Sequence, residues 1–254
     1  MSRIELHPID APGTDESAWA AWPGLAALPG AADTRDCGLA HVASAVIVAA
    51  HPDDEVLGAG GLISVLAASG ARLRLVAVTD GEGSHRGRAD PVALAQRRTA
   101  ETTAALRALG AEAADVIRLG LPDGEIAGRE AEIAAAMERL IVGFDLCLAP
   151  WDGDMHPDHE TAGRAARWAA RRAGRGTRVL CYPIWMWHWA FPGDPRVPWG
   201  RAFRVPLTTL AATRKRAAIG CFASQTEDRG GGLGPVLTAG MIAHFTRATE
   251  VLLP

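Results

Sequence analysis

Two short stretches hold the residue types that carry out hydrolysis or bind metal. One is Ala50-His51-Pro52-Asp53-Asp54-Glu55, directly after the apolar run Ala45-Val46-Ile47-Val48-Ala49. The other is His156-Pro157-Asp158-His159-Glu160, after Leu146-Cys147-Leu148-Ala149-Pro150. An imidazole and a carboxylate three residues apart, His51 and Asp54, join a second imidazole, His159. Together they form the three-ligand set of an open catalytic zinc site, whose remaining position holds water. Asp53 is left over beside a ligand, placed to take a proton from a water whose pKa zinc lowers to roughly 7. His156 is also left over, and as a cation it would steady an oxyanion or protonate a departing amine.

A plainer expectation competes with this one. Acidic residues crowd the first turns of helices, where they complement the dipole, so Asp53, Asp54 and Glu55 could simply cap a helix. Two such clusters, each closing an apolar run, argue instead for one divided site.

Strands that end on a common sheet edge must deliver the clusters, and that edge is where open α/β sheets keep their ligands. From Ala45 onward, strand-like and helix-like stretches alternate, as in a parallel sheet covered on both faces. Strands are expected at 45–49, 74–79, 116–119, 144–150 and 177–183, with an edge strand at 203–205. Helices are expected at 56–69, 91–109, 131–142, 160–173, 208–222 and 236–249. Gly58, Gly60 and Gly61 do not complete a nucleotide-binding fingerprint and are read as allowing close helix packing. Asp90 caps a helix that opens on Pro91 and stops at Gly110.

Four further features bear on function. Arg98 either binds a substrate hydroxyl or phosphate or pairs with Glu101 three residues on. Asp123, inside Pro122-Asp123-Gly124, has the chemistry of a turn residue. The run Ile184-Trp185-Met186-Trp187-His188-Trp189, with Trp199 behind it, offers either a stacking platform for a sugar, with Trp187 as the candidate contact, or an interface with a second subunit in a homo-oligomer. The loop around Gly230-Gly231-Gly232 connects elements or closes over a ligand.

The remaining composition is ordinary. At 254 residues with a formal charge of −3, the chain can bury one large α/β core and shows no basic balance suited to nucleic acid. The start lacks the regions of a signal peptide, and no apolar run reaches the ~20 residues that cross a bilayer. Cys37, Cys147, Cys181 and Cys221 are scattered, and Cys147 and Cys181 are read as reduced core residues of a cytoplasmic protein. Residues 1–43 read as an N-terminal extension anchored by Trp19 and Trp22, and 44–254 as a single domain.

The chain resembles the PIG-L/LmbE-like de-N-acetylases. The two His-Pro-Asp motifs carry the resemblance, supported by Thr79-Asp80-Gly81-Glu82, Arg98 with Glu101, Gly120-Leu121-Pro122-Asp123-Gly124, and Lys215 through Ala223-Ser224-Gln225. It implies a Rossmann-like, mostly parallel sheet carrying one Zn2+ ion, and hydrolysis of an N-acetyl group from an N-acetylglucosamine unit of a small molecule or glycoconjugate. By position it makes His51, Asp54 and His159 the metal ligands, Asp53 the base, and His156 the acid or oxyanion stabiliser. It also turns Asp123 toward the substrate. Some relatives have a tyrosine two residues before the second motif. Asp154 stands there in this chain, which favours a protonated His156. Three alternatives remain open: cleavage of a larger amide, ferrous oxygen chemistry on the same ligands, and a non-catalytic sugar-binding module.

Overall fold

The computed structural model describes residues 9, 11–31, 39, 41–85, 87–174, 176–230 and 232–254. Cys37, Gly231, the extreme start and parts of the 1–43 extension lie outside the described residues.

Two short helices, α1 (Glu16–Ala21) and α2 (Pro23–Ala27), precede β1 (Ser44–Ala49). Then follow α3 (Asp54–Ala68), β2 (Arg72–Thr79), α4 (Pro91–Leu109), β3 (Asp115–Leu121), α5 (Glu130–Ile141), β4 (Leu146–Pro150), α6 (Pro157–Arg172) and β5 (Arg178–Tyr182). The chain continues through α7 (Met186–Trp189), β6 (Phe203–Pro206), α8 (Thr209–Ile219), α9 (Ala223–Thr226), α10 (Ala239–Phe245) and β7 (Thr249–Leu252).

The main sheet runs β3-β2-β1-β4-β5, and every neighbouring pair is parallel. The chain winds outward from β1 through β2 to β3, then returns to lay β4 on the other side of β1. The switch in direction therefore falls between β1 and β4, and a crevice opens at the C-terminal ends of strands at such a point. Those two ends carry the two motifs.

β1 is buried along its whole length and serves two cores. Ala45, Ile47 and Ala49 join the larger apolar cluster with α3 and α4, whereas Val46, Val48 and Ala50 join a second cluster with α5 and α6. This alternation is what a strand covered on both faces requires. Gly58 lets α3 lie flat on the sheet, because a Cβ there would sit 2.1 Å from the Tyr182 ring. The Asp90 side chain accepts from the Val92 and Ala93 amides, and α4 ends at Gly110 with φ 76°. Cap and stop both agree with the sequence.

The C-terminal region differs from expectation. The helix expected at 236–249 is confined to α10, because Thr238 caps it by accepting from the Met241 amide. The alternating residues after it form β7, which pairs antiparallel with β6. The edge strand expected at 203–205 thus belongs to this separate two-stranded sheet. A buried Lys215–Glu250 pair at 2.7 Å ties that sheet to α8, and Glu250 ties it to α3 by accepting from the Gly61 and Leu62 amides.

The N-terminal segment docks through tryptophan. Trp19 is fully buried, its Nε1 donates to the Trp187 carbonyl at 2.9 Å, and its ring meets Trp22, Trp187 and Trp199. Glu16 adds contacts to His244 and Arg247. Cys147 and Cys181 are buried free thiols, and burial raises both pKa values, that of Cys181 to about 12. Among the described residues, no helix is long and apolar enough to cross a membrane.

Candidate metal centre and active site

β1 ends in a turn that the first motif closes on itself. The Asp54 Oδ2 atom accepts from the His51 amide at 2.8 Å, fixing carboxylate and imidazole against each other. Asp53 has φ 119°, a left-handed conformation that is costly for a residue with a Cβ. Its side chain makes no cap at the start of α3. The capping expectation therefore fails for Asp53, whose carboxylate meets Arg98 instead.

The second motif arrives on the first turn of α6, with Pro157 as its first residue and His156 as N-cap. Across the switch point, His51 Nδ1 lies 3.2 Å from His159 Nε2. Asp54 is 3.2 Å from that same His159 atom and 3.6 Å from His51 Nδ1. Tetrahedral ligands that hold zinc at roughly 2.0–2.1 Å stand about 3.3 Å from one another, a spacing close to those among these three groups. His156 lies close to both rings, and its own nitrogen falls within the same cluster.

Each candidate ligand ring is held from behind by a carboxylate, the arrangement that fixes tautomer and orientation at metal centres. His51 Nε2 faces Asp123 and Asp158, both at 3.1 Å. His159 Nδ1 faces Asp154 at 2.8 Å. Burial alone would lower both histidine pKa values. Asp123, Asp158 and Asp54 nevertheless hold His51 well above its ordinary value, and Asp54 with Asp154 raises His159 to about 9. The same attraction lowers Asp123 to about 2 despite its burial.

Asp53 behaves differently. Burial pushes it up, Arg98 pulls it down, Asp54 pushes it up again, and its pKa lies at about 7. A base poised near the working pH is well matched to proton transfer. Arg98 is 2 % exposed. It donates to Asp53 at 3.1 Å and to the Gly81 carbonyl at 2.8 Å. The pairing of Arg98 with Glu101 does not form, and Arg98 lines the cavity shared by the two motifs. Its fork is taken up by Asp53 and main-chain oxygens, while Glu101 pairs with Arg97 and accepts from Ser224.

His156 also departs from expectation. Burial and the neighbouring His159 and His51 depress it to about 2, so it is neutral, and its Nδ1 accepts from the Asp158 amide. The proton therefore sits on Nε2. Asp154 does not promote a charge on His156, because its carboxylate is turned to His159 and to the amides of residues 184–186.

These groups line a cavity of about 270 Å³ together with Ser84, Gly124, Trp185, Gln225, Arg229 and Leu237. Trp187, the sequence candidate for substrate contact, is not among the lining residues. Its ring packs on Trp19 and under Arg247, and it is 3 % exposed. Trp185 takes the cavity position, nearly parallel to His156 at 6.3 Å. The alternation of a one-turn helix, read without its register, could not tell the two apart. Asp158 was visible as a motif residue with no partner assigned, and Asp154, read from the sequence as acting on His156, meets His159 instead. A larger groove, about 540 Å³, lies beside α4 and Arg118 and contains none of the motif residues.

A family model described as PIG-L: GlcNAc-PI de-N-acetylase matches residues 46–170, a span that includes both motifs. The chain is 30% identical over 172 residues to a 1D-myo-inositol 2-acetamido-2-deoxy-alpha-D-glucopyranoside deacetylase of Kineococcus radiotolerans, covering 52% of this chain and 46% of that protein. It is 31% identical over 161 residues to 1D-myo-inositol 2-acetamido-2-deoxy-alpha-D-glucopyranoside deacetylase 2 of Catenulispora acidiphila, covering 52% of each. The chain thus spans about half the length of the curated relatives it matches. Among solved structures, the conserved protein TT1542 from Thermus thermophilus matches with a TM-score of 0.59 at 26% identity, over 84% of this chain and 94% of that one.

Proposed function

Since the chain belongs to the PIG-L/LmbE-like de-N-acetylase family, we propose that it is a zinc-dependent hydrolase removing the N-acetyl group from an N-acetylglucosamine-containing small molecule or glycoconjugate. The observation that carries the proposal is the convergence of His51 Nδ1, His159 Nε2 and Asp54, with Asp53 beside them on Arg98. His51, Asp54 and His159 would hold the metal. When bound, zinc polarises the amide carbonyl and makes water a nucleophile at neutral pH.

The protein's own groups supply the remaining chemistry. Asp53 accepts the proton of the attacking water, and Arg98 keeps part of the Asp53 population ionised at neutral pH despite burial. The Nε2–H of neutral His156 donates to the amide oxygen as negative charge gathers there, a contribution a preorganised donor makes without being charged. With a pKa of about 2, His156 is a poor proton reservoir. Asp53 therefore carries its proton on to the departing nitrogen, and the products are acetate and a free amine. Trp185 offers a flat apolar face to the sugar ring. The cavity of about 270 Å³ is slightly smaller than the roughly 300–1,000 Å³ of small-molecule sites, which suits a pyranose with a short acyl group better than a long acyl conjugate.

The test is acetate release by zinc-loaded protein from a panel of N-acetylglucosamine conjugates, with Asp53→Ala in parallel. Release that disappears in the variant supports the proposal. A zinc-replete protein that releases acetate from no member of the panel overturns it.

A further inference from the structure

Asp154 is fully buried, and its two oxygens are met by four donors. Oδ1 accepts from the Ile184 amide at 3.0 Å and the Met186 amide at 2.9 Å. Oδ2 accepts from the Trp185 amide at 2.9 Å and faces His159 Nδ1 at 2.8 Å. Three successive amides turned on one point form an anion-holding nest. Because those amides can only donate, Asp154 is bound here as an acceptor, and the nitrogen facing it on His159 must carry the hydrogen. With the Nδ1 hydrogen fixed on Asp154, Nε2 is the nitrogen left to give up its proton and face a metal beside Asp54 and His51.

The same carboxylate fixes the backbone of Trp185, the aromatic wall of the cavity. A second connection runs through the rings. His159 stacks on His156 at 4.5 Å and 29°, and His156 faces Trp185 at 6.3 Å and 20°. The Trp189 indole closes the joint by donating to the Asp154 carbonyl at 2.9 Å.

We propose that Asp154 is a positioning residue that sets the tautomer of His159 and couples this metal ligand to Trp185, so that metal binding also orders the wall on which the sugar rests. The proposal rests on the zinc-centre reading above. Loss of a carboxylate behind a ligand histidine typically costs 10- to 100-fold in metal affinity. Asp154→Asn keeps the volume but removes the charge and exchanges one of the two acceptor oxygens for a donor, so the four donors around it can no longer all be met.

Zinc titration calorimetry on wild type, Asp154→Asn and His159→Ala separates the possibilities. A 10- to 100-fold weaker Kd in Asp154→Asn is the expected result, and an unchanged Kd in the folded variant overturns the proposal. If His159→Ala binds zinc as tightly as wild type, the zinc-centre reading itself fails. The difference in fluorescence between each protein and its Trp185→Phe counterpart isolates the Trp185 signal. Zinc should change that signal in wild type and leave it unchanged in Asp154→Asn. An equal change in both refutes the coupling. Should Asp154→Asn not fold, the ¹⁵N-histidine spectrum of zinc-loaded wild type decides the question. A proton on His159 Nδ1 supports the assignment, and a proton on Nε2 overturns it.

Discussion

His51 Nδ1 and His159 Nε2 stand 3.2 Å apart although 108 residues separate them in the chain. Without metal, only a shared proton makes that approach favourable, and the surrounding carboxylates hold His159 at about 9 and His51 well above its ordinary value. Zinc held by these two rings must therefore displace protons at neutral pH, so affinity rises with pH. Each displaced proton should weaken binding about tenfold per pH unit of acidification. Calorimetry at pH 7 in buffers of different ionisation enthalpy should show proton release. Its absence would remove these histidines from the ligand set.

On the proposed mechanism, Asp53 and Arg98 set the acid limb of the activity. The base works only when ionised, so turnover should rise with pH through a limb at or below about 7, since a bound dication lowers the pKa of a nearby acid further. Arg98 is the main group that keeps this pKa down. Arg98→Gln should move the limb to higher pH, whereas Asp53→Asn should cost roughly 10²–10⁴ in kcat with zinc retained. A limb that stays in place in Arg98→Gln would disconnect the pair.

The sheet and its switch point were legible because β1 and β4 are short apolar runs that each end in chemistry, and the Asp90 cap and Gly110 stop are local signals. The meeting of His51, Asp54 and His159, with Asp53 beside them, was legible for the same reason. What could not be read was anything decided by long-range partners. Arg98 is claimed by a turn 45 residues away, Asp154 by the amides of residues 184–186, and Trp187 by Trp19. His156 was expected to be charged because spacing says nothing of the two neighbouring imidazoles that repel a proton. β7 was hidden because its pairing partner β6 lies more than 40 residues back.

Glu55 makes a separate prediction about stability. It is fully buried, its Oε2 accepts from the Asp53 amide, and its Oε1 has no hydrogen-bond partner. Burial, with Asp53 and Asp54 adding to it, raises its pKa to about 8, so it is protonated at pH 7. The folded protein then binds a proton more tightly than the unfolded chain, and this contribution is complete below about 4.5 and lost as pH rises to about 8. Glu55→Gln should melt near the wild-type temperature at pH 6 and above it at pH 9 in metal-free protein. Parallel melting curves across that range would show that Glu55 is ionised when buried.

Trp19 and Trp185 should separate stability from function. Trp19 is fully buried between α1 and the Trp187 and Trp199 rings, and it does not line the cavity. Truncating a buried aromatic costs about 3–5 kcal/mol, so Trp19→Ala should lower the melting temperature while the folded fraction keeps its KM. Trp185 lines the cavity and is only partly buried at the edge of the larger core. Trp185→Ala should therefore destabilise less than Trp19→Ala and, on the proposed mode of binding, raise KM because the sugar loses its flat apolar contact. Melting curves and steady-state kinetics on both variants check the contrast. If Trp19→Ala raises KM and Trp185→Ala does not, the sugar-binding wall lies on the N-terminal segment, and the placement of substrate against Trp185 is wrong.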